Sequence, residues 1–489
     1  MSKKLLCTLL ACLLLLPVLL LSAGAEPETV PLFAANNSAV AYCIDTEQIL
    51  YENKAQEVHA PGVTAKLMAL MVAYDLLENT GRKLSEKITI NGSWVRDTYI
   101  PGDRSSPYLG LTQGDECSLE YLFACSLVSN ANDACAALVG YCTEELMMAT
   151  REDFLERMNK KAEELGMKNT LYADTIGFGG LGQTTASDVV KLAKAFYLYN
   201  DLVQLADRDA YRGAGSTIRN KNYLECDYLM KGYLMEEAMG LIAGHSTNQG
   251  GYHLVTFTEK EGIAYAYVVM GGSRERQEED GSRWFDDGNA YDDMHGLVPY
   301  VLDSFGYQKL CSGKGEKDVT FLADLRLGGG AEEGILRLVP EKTVELMVAN
   351  PNGAEIEIVL NYDERIYEAE KAGKTYMTVD APVKQGEVLG TASFVLEGKT
   401  LATVNMLAEK SVEVNTLLSA KNHLFSFLFE GPMGNIIKWV LIIIIAWVAL
   451  ALLFWVIRQI FRLVVWGNGK KDKPEKEDKT EKPENMNKM

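Results

Sequence analysis

In APGVTAKLMALMVAYDLLE, Ala60 to Glu78, Lys66 is the one charge near the start of a segment that is apolar almost all round. That pattern reads as a core helix, where a lysine is rare unless it has a partner. One turn back on the same face, three residues earlier, stands Val63. A hydroxyl there, beside a buried amine, would be an activated nucleophile, because the amine could take its proton as the oxygen attacks. Valine has no such atom. Thr64 carries a hydroxyl but lies about 100° round the helix from Val63.

Other chemistry-bearing residues are scattered. In SNAND, Ser129 to Asp133, the pair Asn132 and Asp133 reads first as helix-capping chemistry and second as a ligand grip. His245 and His253 lie near one apolar strand, but neither has neighbours that complete a metal set, so no metal site is expected. The run RQEEDGSRWFDDGNAYDDMHG is acidic without the spacing of a standard calcium loop and reads as a solvated loop. Nothing in the chain calls for a cofactor.

The elements that must hold these residues follow from periodicity. AVAYCIDTEQILYENKAQ reads as two short strands round a turn, leading into the Ala60 helix. YLFACSLVSNANDACAALVGY is helical in period but interrupted by SNAND. TREDFLERMNKKAEELG is an amphipathic helix stopped by Gly166, and TTASDVVKLAKAFYLYN is another, with Thr185 and Asp188 spaced like a capping box. YHLVTFTEKEGIAYAYVVMGG reads as two strands joined at Glu-Gly, the second nearly all apolar and so buried. Beyond Cys311, alternating runs with Asn-Gly and Glu-Gly turns mark a separate β domain over 317–412.

The two ends are not globular. Residues 1–25 combine Lys3 and Lys4, an apolar run from Leu5 to Leu21, and small residues at Ala23 and Ala25, as in a cleaved secretory signal; an uncleaved anchor is the alternative. Trp439 to Ile457 is 19 residues without a charge, inside an expected transmembrane helix over 436–463 that follows a juxtamembrane segment over 413–435. Arg458, Arg462, Lys470 and Lys471 come after it, so the tail over 464–489 is expected in the cytoplasm, disordered, with the body outside a cell membrane crossed once. Between Glu26 and Asn435 there are 36 Lys and Arg against 61 Asp and Glu, a balance of −25 that argues against nucleic acid as a partner. Seven cysteines follow the signal; Cys125, Cys135 and Cys142 read mainly as small core residues, with a Cys135–Cys142 pair as the weaker reading.

Taken in order, the stretch from AYCIDTEQILYENKAQEVHAPGVTAKLM through NANDACAAL, GMKNTLYAD, QTTASDVVKLA, RNKNYL and GGYHLVTF resembles the serine D-alanyl-D-alanine carboxypeptidases, low-molecular-weight penicillin-binding proteins of bacterial walls. KQGEVLGTASFVLEGKTLATVNMLAE resembles their C-terminal β-rich domain. The resemblance implies an α/β domain over 26–312 of the penicillin-binding protein and β-lactamase type, an antiparallel sheet flanked by helices, then a small all-β domain. It also implies peptidoglycan stem peptides as substrate.

The family chemistry requires Ser-x-x-Lys, Ser-x-Asn and Lys-Thr-Gly. Here the corresponding positions hold Val63-Thr64-Ala65-Lys66, Asn130-Ala131-Asn132 and Ile242-Ala243-Gly244. Lys66, Asn132 and Gly244 are retained; Val63, Asn130, Ile242 and Ala243 stand where reactive groups should be. Shifting the second motif to Ser129 restores a serine but puts Ala131 in the asparagine position. The expectation is therefore a catalytically inactive relative that keeps a polar Lys66–Asn132 contact and binds wall peptide or a cell-wall protein through the old cleft. The alternatives are an active carboxypeptidase with a non-standard nucleophile such as Thr64, and a membrane scaffold for wall enzymes.

Overall fold

The computed structural model describes residues 37–466, apart from short stretches at 104–105, 179–180, 214, 228–230, 247–250, 278–282, 287, 329–330, 352, 354, 417–419, 422–423 and 425–431. The expected signal segment and most of the expected cytoplasmic tail lie outside the described residues. Within them the chain divides into two compact units. The first runs to Cys311 and takes in Thr343–Glu357 and Phe394–Thr400; the second holds Ser312–Lys342, Ile358–Ser393 and the chain from Leu401.

The first unit is built on a five-stranded antiparallel sheet in the order β2-β1-β11-β10-β9. Its strands are β1 (Ser38–Cys43), β2 (Gln48–Asn53), β9 (Met239–His245), β10 (Tyr252–Lys260) and β11 (Ile263–Gly272). The β10–β11 hairpin turns at Glu261 and Gly262, both with positive φ, the backbone that matches a two-residue hairpin to the right-handed strand twist. Alternation then sorts the strands' side chains. Val40, Phe257, Val268 and Met270 join one buried cluster, whereas Ala41, Tyr267 and Val269 join another. Both faces are thus covered, which explains the nearly continuous apolar run of β11.

On the first of these faces lie α1 (Thr64–Asn79), α2 (Leu119–Val128), α3 (Asn132–Tyr141), α4 (Arg151–Glu164), α5 (Ala186–Phe196) and α6 (Asn200–Ala206). Helix α1 is buried from Thr64 to Ala73 without interruption, so it has no solvent face in its first turns. Helices α2 and α3 are separate because Ser129–Ala131 breaks the ladder, with Asn130 in the left-handed region at φ 56°. Thr185 caps α5 by accepting from Asp188 N; a full reciprocal capping box forms at Thr150 and Asp153, at the start of α4. The opposite face is covered by α7 (Gly288–Ser304), whose Tyr291, Met294 and Leu297 are buried against the sheet.

Short two-stranded ribbons complete the unit: β3 (Val58–His59) with β6 (Thr184–Thr185), β4 (Lys87–Thr89) with β5 (Glu116–Ser118), β7 (Ala210–Gly213) with β8 (Ser216–Arg219), and β12 (Arg274–Gln277) with β13 (Arg283–Asp286). Strand β14 (Phe305–Cys311) pairs with β17 (Val344–Ala349), so one strand from the stretch read as β domain belongs with the first unit.

The second unit carries a seven-stranded sheet in the order β18-β21-β22-β16-β15-β20-β19. Its strands are β15 (Ala323–Gly328), β16 (Ile335–Pro340), β18 (Glu357–Tyr362), β19 (Ile366–Lys371), β20 (Lys374–Asp380), β21 (Val388–Leu396) and β22 (Lys399–Ala408). The β15–β20 pairing is parallel, with Arg326 opposite Thr378. Helix α8 (Pro432–Trp466) contains one segment, Asn435–Arg462, long and apolar enough to cross a membrane.

Gly140, in the last turn of α3, lies under the buried Trp94 ring; a Cβ there would stand 2.3 Å from Trp94 Cγ. Gly140→Ala is expected to lower unfolding stability by about 1–3 kcal/mol through overpacking, even though alanine is the better helix former. Denaturant titration of the two proteins checks this, and an unchanged midpoint would contradict the packing described.

Candidate functional site: the Lys66 centre

The site is assembled from the first turn of α1, the α2–α3 break and the end of β9. Pro61 O accepts from both the backbone N–H of Thr64 (3.0 Å) and its hydroxyl (2.6 Å), which starts the helix and turns Thr64 Oγ1 back toward residue 61. Val63 is 1 % exposed and Lys66 2 % exposed. The ammonium of Lys66 donates to Asn130 Oδ1 at 2.7 Å. The partner of Lys66 is therefore Asn130, where the sequence pointed to Asn132. The reason is local backbone: the left-handed conformation of Asn130 turns its side chain toward α1, whereas Asn132 is already the first residue of α3. Asn132 instead donates its amide to Thr98 O at 3.3 Å, and its N–H bonds Pro107 O at 2.8 Å.

Asp133, next along, fixes the loop that passes beside this centre. Its carboxylate accepts from the backbone N–H groups of Leu109 (3.0 Å), Gly110 (2.8 Å) and Leu111 (3.0 Å). Sequence reasoning gave Asp133 a possible capping role and missed this clamp, which no local pattern announces because its partners lie more than twenty residues upstream.

Gly244 closes the third side. A Cβ on it would stand 2.3 Å from Asn130 Nδ2 and 3.3 Å from Val63 Cγ2, so the β9 backbone lies directly against the Lys66 partner and the residue in place of a nucleophile. Gly62, at φ +49°, is pressed just as closely onto Ser246 Cα. Ile242 faces into the main core with α1, and Ala243 points through to the cluster under α7. Neither offers a polar group.

Burial pulls the Lys66 pKa down from 10.5 to about 8, while the charges of Asp174 and Asp133 and the neighbouring Cys135 pull it back. The Cys135 and Cys142 thiols are pushed up to about 12 by burial, and both are free, as are all seven cysteines of the described chain. Hydroxyls belonging to these segments are committed elsewhere: Ser129 donates to Cys125 O at 2.8 Å and Ser246 to Gly251 O at 3.1 Å. His253 bridges Ala60 O and the Gly271 N–H, and burial lowers its pKa to about 4, so it is a neutral structural imidazole. His245 packs edge-on against Tyr252. Among the described residues no group of three or more His, Cys, Asp or Glu is placed to hold a metal; the acidic run near residue 280 lies partly outside them.

Comparison with known proteins gives this geometry its lineage. Residues 26–274 match the family described as D-alanyl-D-alanine carboxypeptidase, and residues 323–414 match the C-terminal domain of penicillin-binding protein 5. The chain belongs to the D-alanyl-D-alanine carboxypeptidase family. It is 24 % identical over 415 residues to the D-alanyl-D-alanine carboxypeptidase DacF of Bacillus subtilis, covering 84 % of this chain and 95 % of that one. The fold is shared with the crystal structure of the carboxypeptidase DacD from Francisella tularensis (TM-score 0.59, 17 % identity, 80 % of this chain and 98 % of that one). It is shared equally with penicillin-binding protein 5 from Haemophilus influenzae (TM-score 0.56, 18 % identity, 79 % and 99 %).

Within this family, a D-Ala-D-Ala carboxypeptidase fold here surrounds an amine hydrogen-bonded to an amide carbonyl. An amide oxygen accepts the hydrogen bond but does not relay a proton, as a hydroxyl could.

Lys66 binds fewer protons in the folded than in the unfolded chain between about pH 8 and pH 10.5, so its contribution to stability rises with pH across that window. The unfolding free energy of Lys66→Met minus that of wild type is expected to fall by up to about 3 kcal/mol from pH 7 to pH 10.5. Paired denaturation curves measure it, and a pH-independent difference would mean that Lys66 is not buried as an ammonium.

Proposed function

We propose that this chain is a non-hydrolytic D-Ala-D-Ala carboxypeptidase relative, held at the membrane by α8 with its domains outside the cell, where it acts by binding wall peptide or a wall protein. The observation that carries the proposal is the Lys66–Asn130 hydrogen bond beside a buried Val63. Removing the nucleophile from a serine hydrolase costs roughly 10⁶-fold in kcat. Here the relay hydroxyl of the second motif and the cation of the third are absent as well, at Asn130 and Ile242. Thr64 is a poor substitute nucleophile, being fully buried with its hydroxyl donated to Pro61 O.

Export and anchoring are supported by the signal-like start of the sequence and by the apolar 28 residues of Asn435–Arg462, with the basic residues that follow favouring a cytoplasmic tail. A partner bound through the architecture of the first unit requires no chemistry from Lys66, so binding does not depend on catalysis.

Release of D-alanine from a D-Ala-D-Ala pentapeptide is expected to stay at buffer background for the wild type, and for Val63→Ser, in which Asn130 still caps the amine. An active member of the family assayed in parallel sets the scale. Release by the wild type that disappears in Lys66→Met would overturn the reading.

A further inference from the structure

The second unit has a hollow of about 640 Å³ on the face of its sheet where β15, β20 and β19 run side by side, bounded by the turn that precedes β16. From its constitution we infer that this hollow is a saccharide-binding site for neutral N-acetylated glycan chains, an inference that rests on the extracytoplasmic wall location proposed above.

The floor is aromatic and held in place. Tyr367 is 43 % exposed, yet its hydroxyl donates to Asp380 Oδ1 at 2.8 Å, which anchors the far end of the ring. Gly328 makes that arrangement possible, since a Cβ there would stand 2.5 Å from Asp380 Oδ1 and 2.9 Å from the Tyr367 oxygen. A pinned ring presents a flat apolar face at little further cost in side-chain entropy. Exposed Ile335 extends that surface, and Tyr376, covered on one side by the Arg326 guanidinium at 4.0 Å, lies beside it.

The polar groups select the ligand class. Lys371 is paired with Glu333 at 2.6 Å across the rim, and Arg326, stacked on the Tyr376 ring, keeps its charge and its N–H donors. The lining carboxylates Asp324, Glu333 and Glu370 outnumber the cations Arg326 and Lys371 by one, so the hollow offers acceptors and donors together with a slight negative balance. Such a lining offers acceptors to O–H and N–H groups and donors to amide carbonyls, and its slight negative balance favours a neutral ligand over anionic lipid. A flat C–H face edged with hydroxyl and acetamido donors is the surface of an N-acetylated hexosamine, and an open hollow accepts an internal stretch of a long chain.

Titration calorimetry of the full chain in a non-glycosidic detergent, with a β-1,4-linked N-acetylglucosamine hexamer, tests this. Saturable binding is expected, with Kd on the order of 0.1–1 mM. Tyr367→Ala is expected to weaken it about tenfold, and Tyr367→Phe, which keeps the ring, by less than about threefold. If Tyr367→Ala does not fold, Glu370→Lys on the exposed rim supplies the reading, again as weaker binding. Three results would overturn the inference: no saturable heat up to about 10 mM sugar, binding indifferent to both Tyr367→Ala and Glu370→Lys, or competition for Tyr367 by a D-Ala-D-Ala peptide but not by sugar. Loss of sugar binding leaves D-alanine release at background and so sinks this inference alone; D-alanine release with sugar binding intact sinks only the non-hydrolytic reading.

Discussion

A lysine ammonium buried in the first turn of a core helix needs an acceptor, and in this protein Asn130 supplies it. Without one, a buried cation would cost several kcal/mol or lose its proton. That one requirement organises the elements around it. It is met by a left-handed residue that must lie between two helices, so α2 and α3 cannot be one helix. The break is held by Asp133, whose carboxylate ties the upstream loop at Leu109, Gly110 and Leu111 to the start of α3. The β9 backbone can come down on the pair only because residue 244 has no side chain.

The same arrangement explains how the fold accommodates its departures from the family motifs. The burial that stabilises the first unit comes from the two faces of the sheet and from α1, and nothing in it depends on a serine at position 63. Valine there adds apolar contact in a place closed to solvent. Asparagine at 130 satisfies Lys66 as a hydroxyl would, but through an oxygen that carries no proton. Isoleucine at 242 replaces a charged group by one more core side chain. Each departure from the carboxypeptidase motifs is thus compatible with packing and removes a reactive atom.

Much of the fold was legible in the sequence, because alternation and helical period report burial directly. The β1–β2 hairpin, the buried α1, the Glu261–Gly262 turn and the apolar terminal helix follow from residues within a few positions of one another. What was not legible depended on distant partners. The choice of Asn130 over Asn132 is set by a single backbone angle, and the Asp133 clamp by a loop more than twenty residues away. The β17 strand looks like its neighbours in the β domain, but its pairing partner is β14, in the first unit. That His253 braces Ala60 against Gly271 likewise depends on partners far apart in the chain.

The central claim is that no nucleophile exists beside Lys66, and intact-mass spectrometry of the full chain after incubation with benzylpenicillin tests it most directly. A β-lactam acylates the same oxygen that attacks the peptide, and the acyl-enzyme adds the whole mass of the drug. The account requires the protein mass to remain unchanged, while an active carboxypeptidase of the same family gains one adduct. A stoichiometric adduct on this chain, mapped by digestion to any residue of the Lys66 centre, would contradict it.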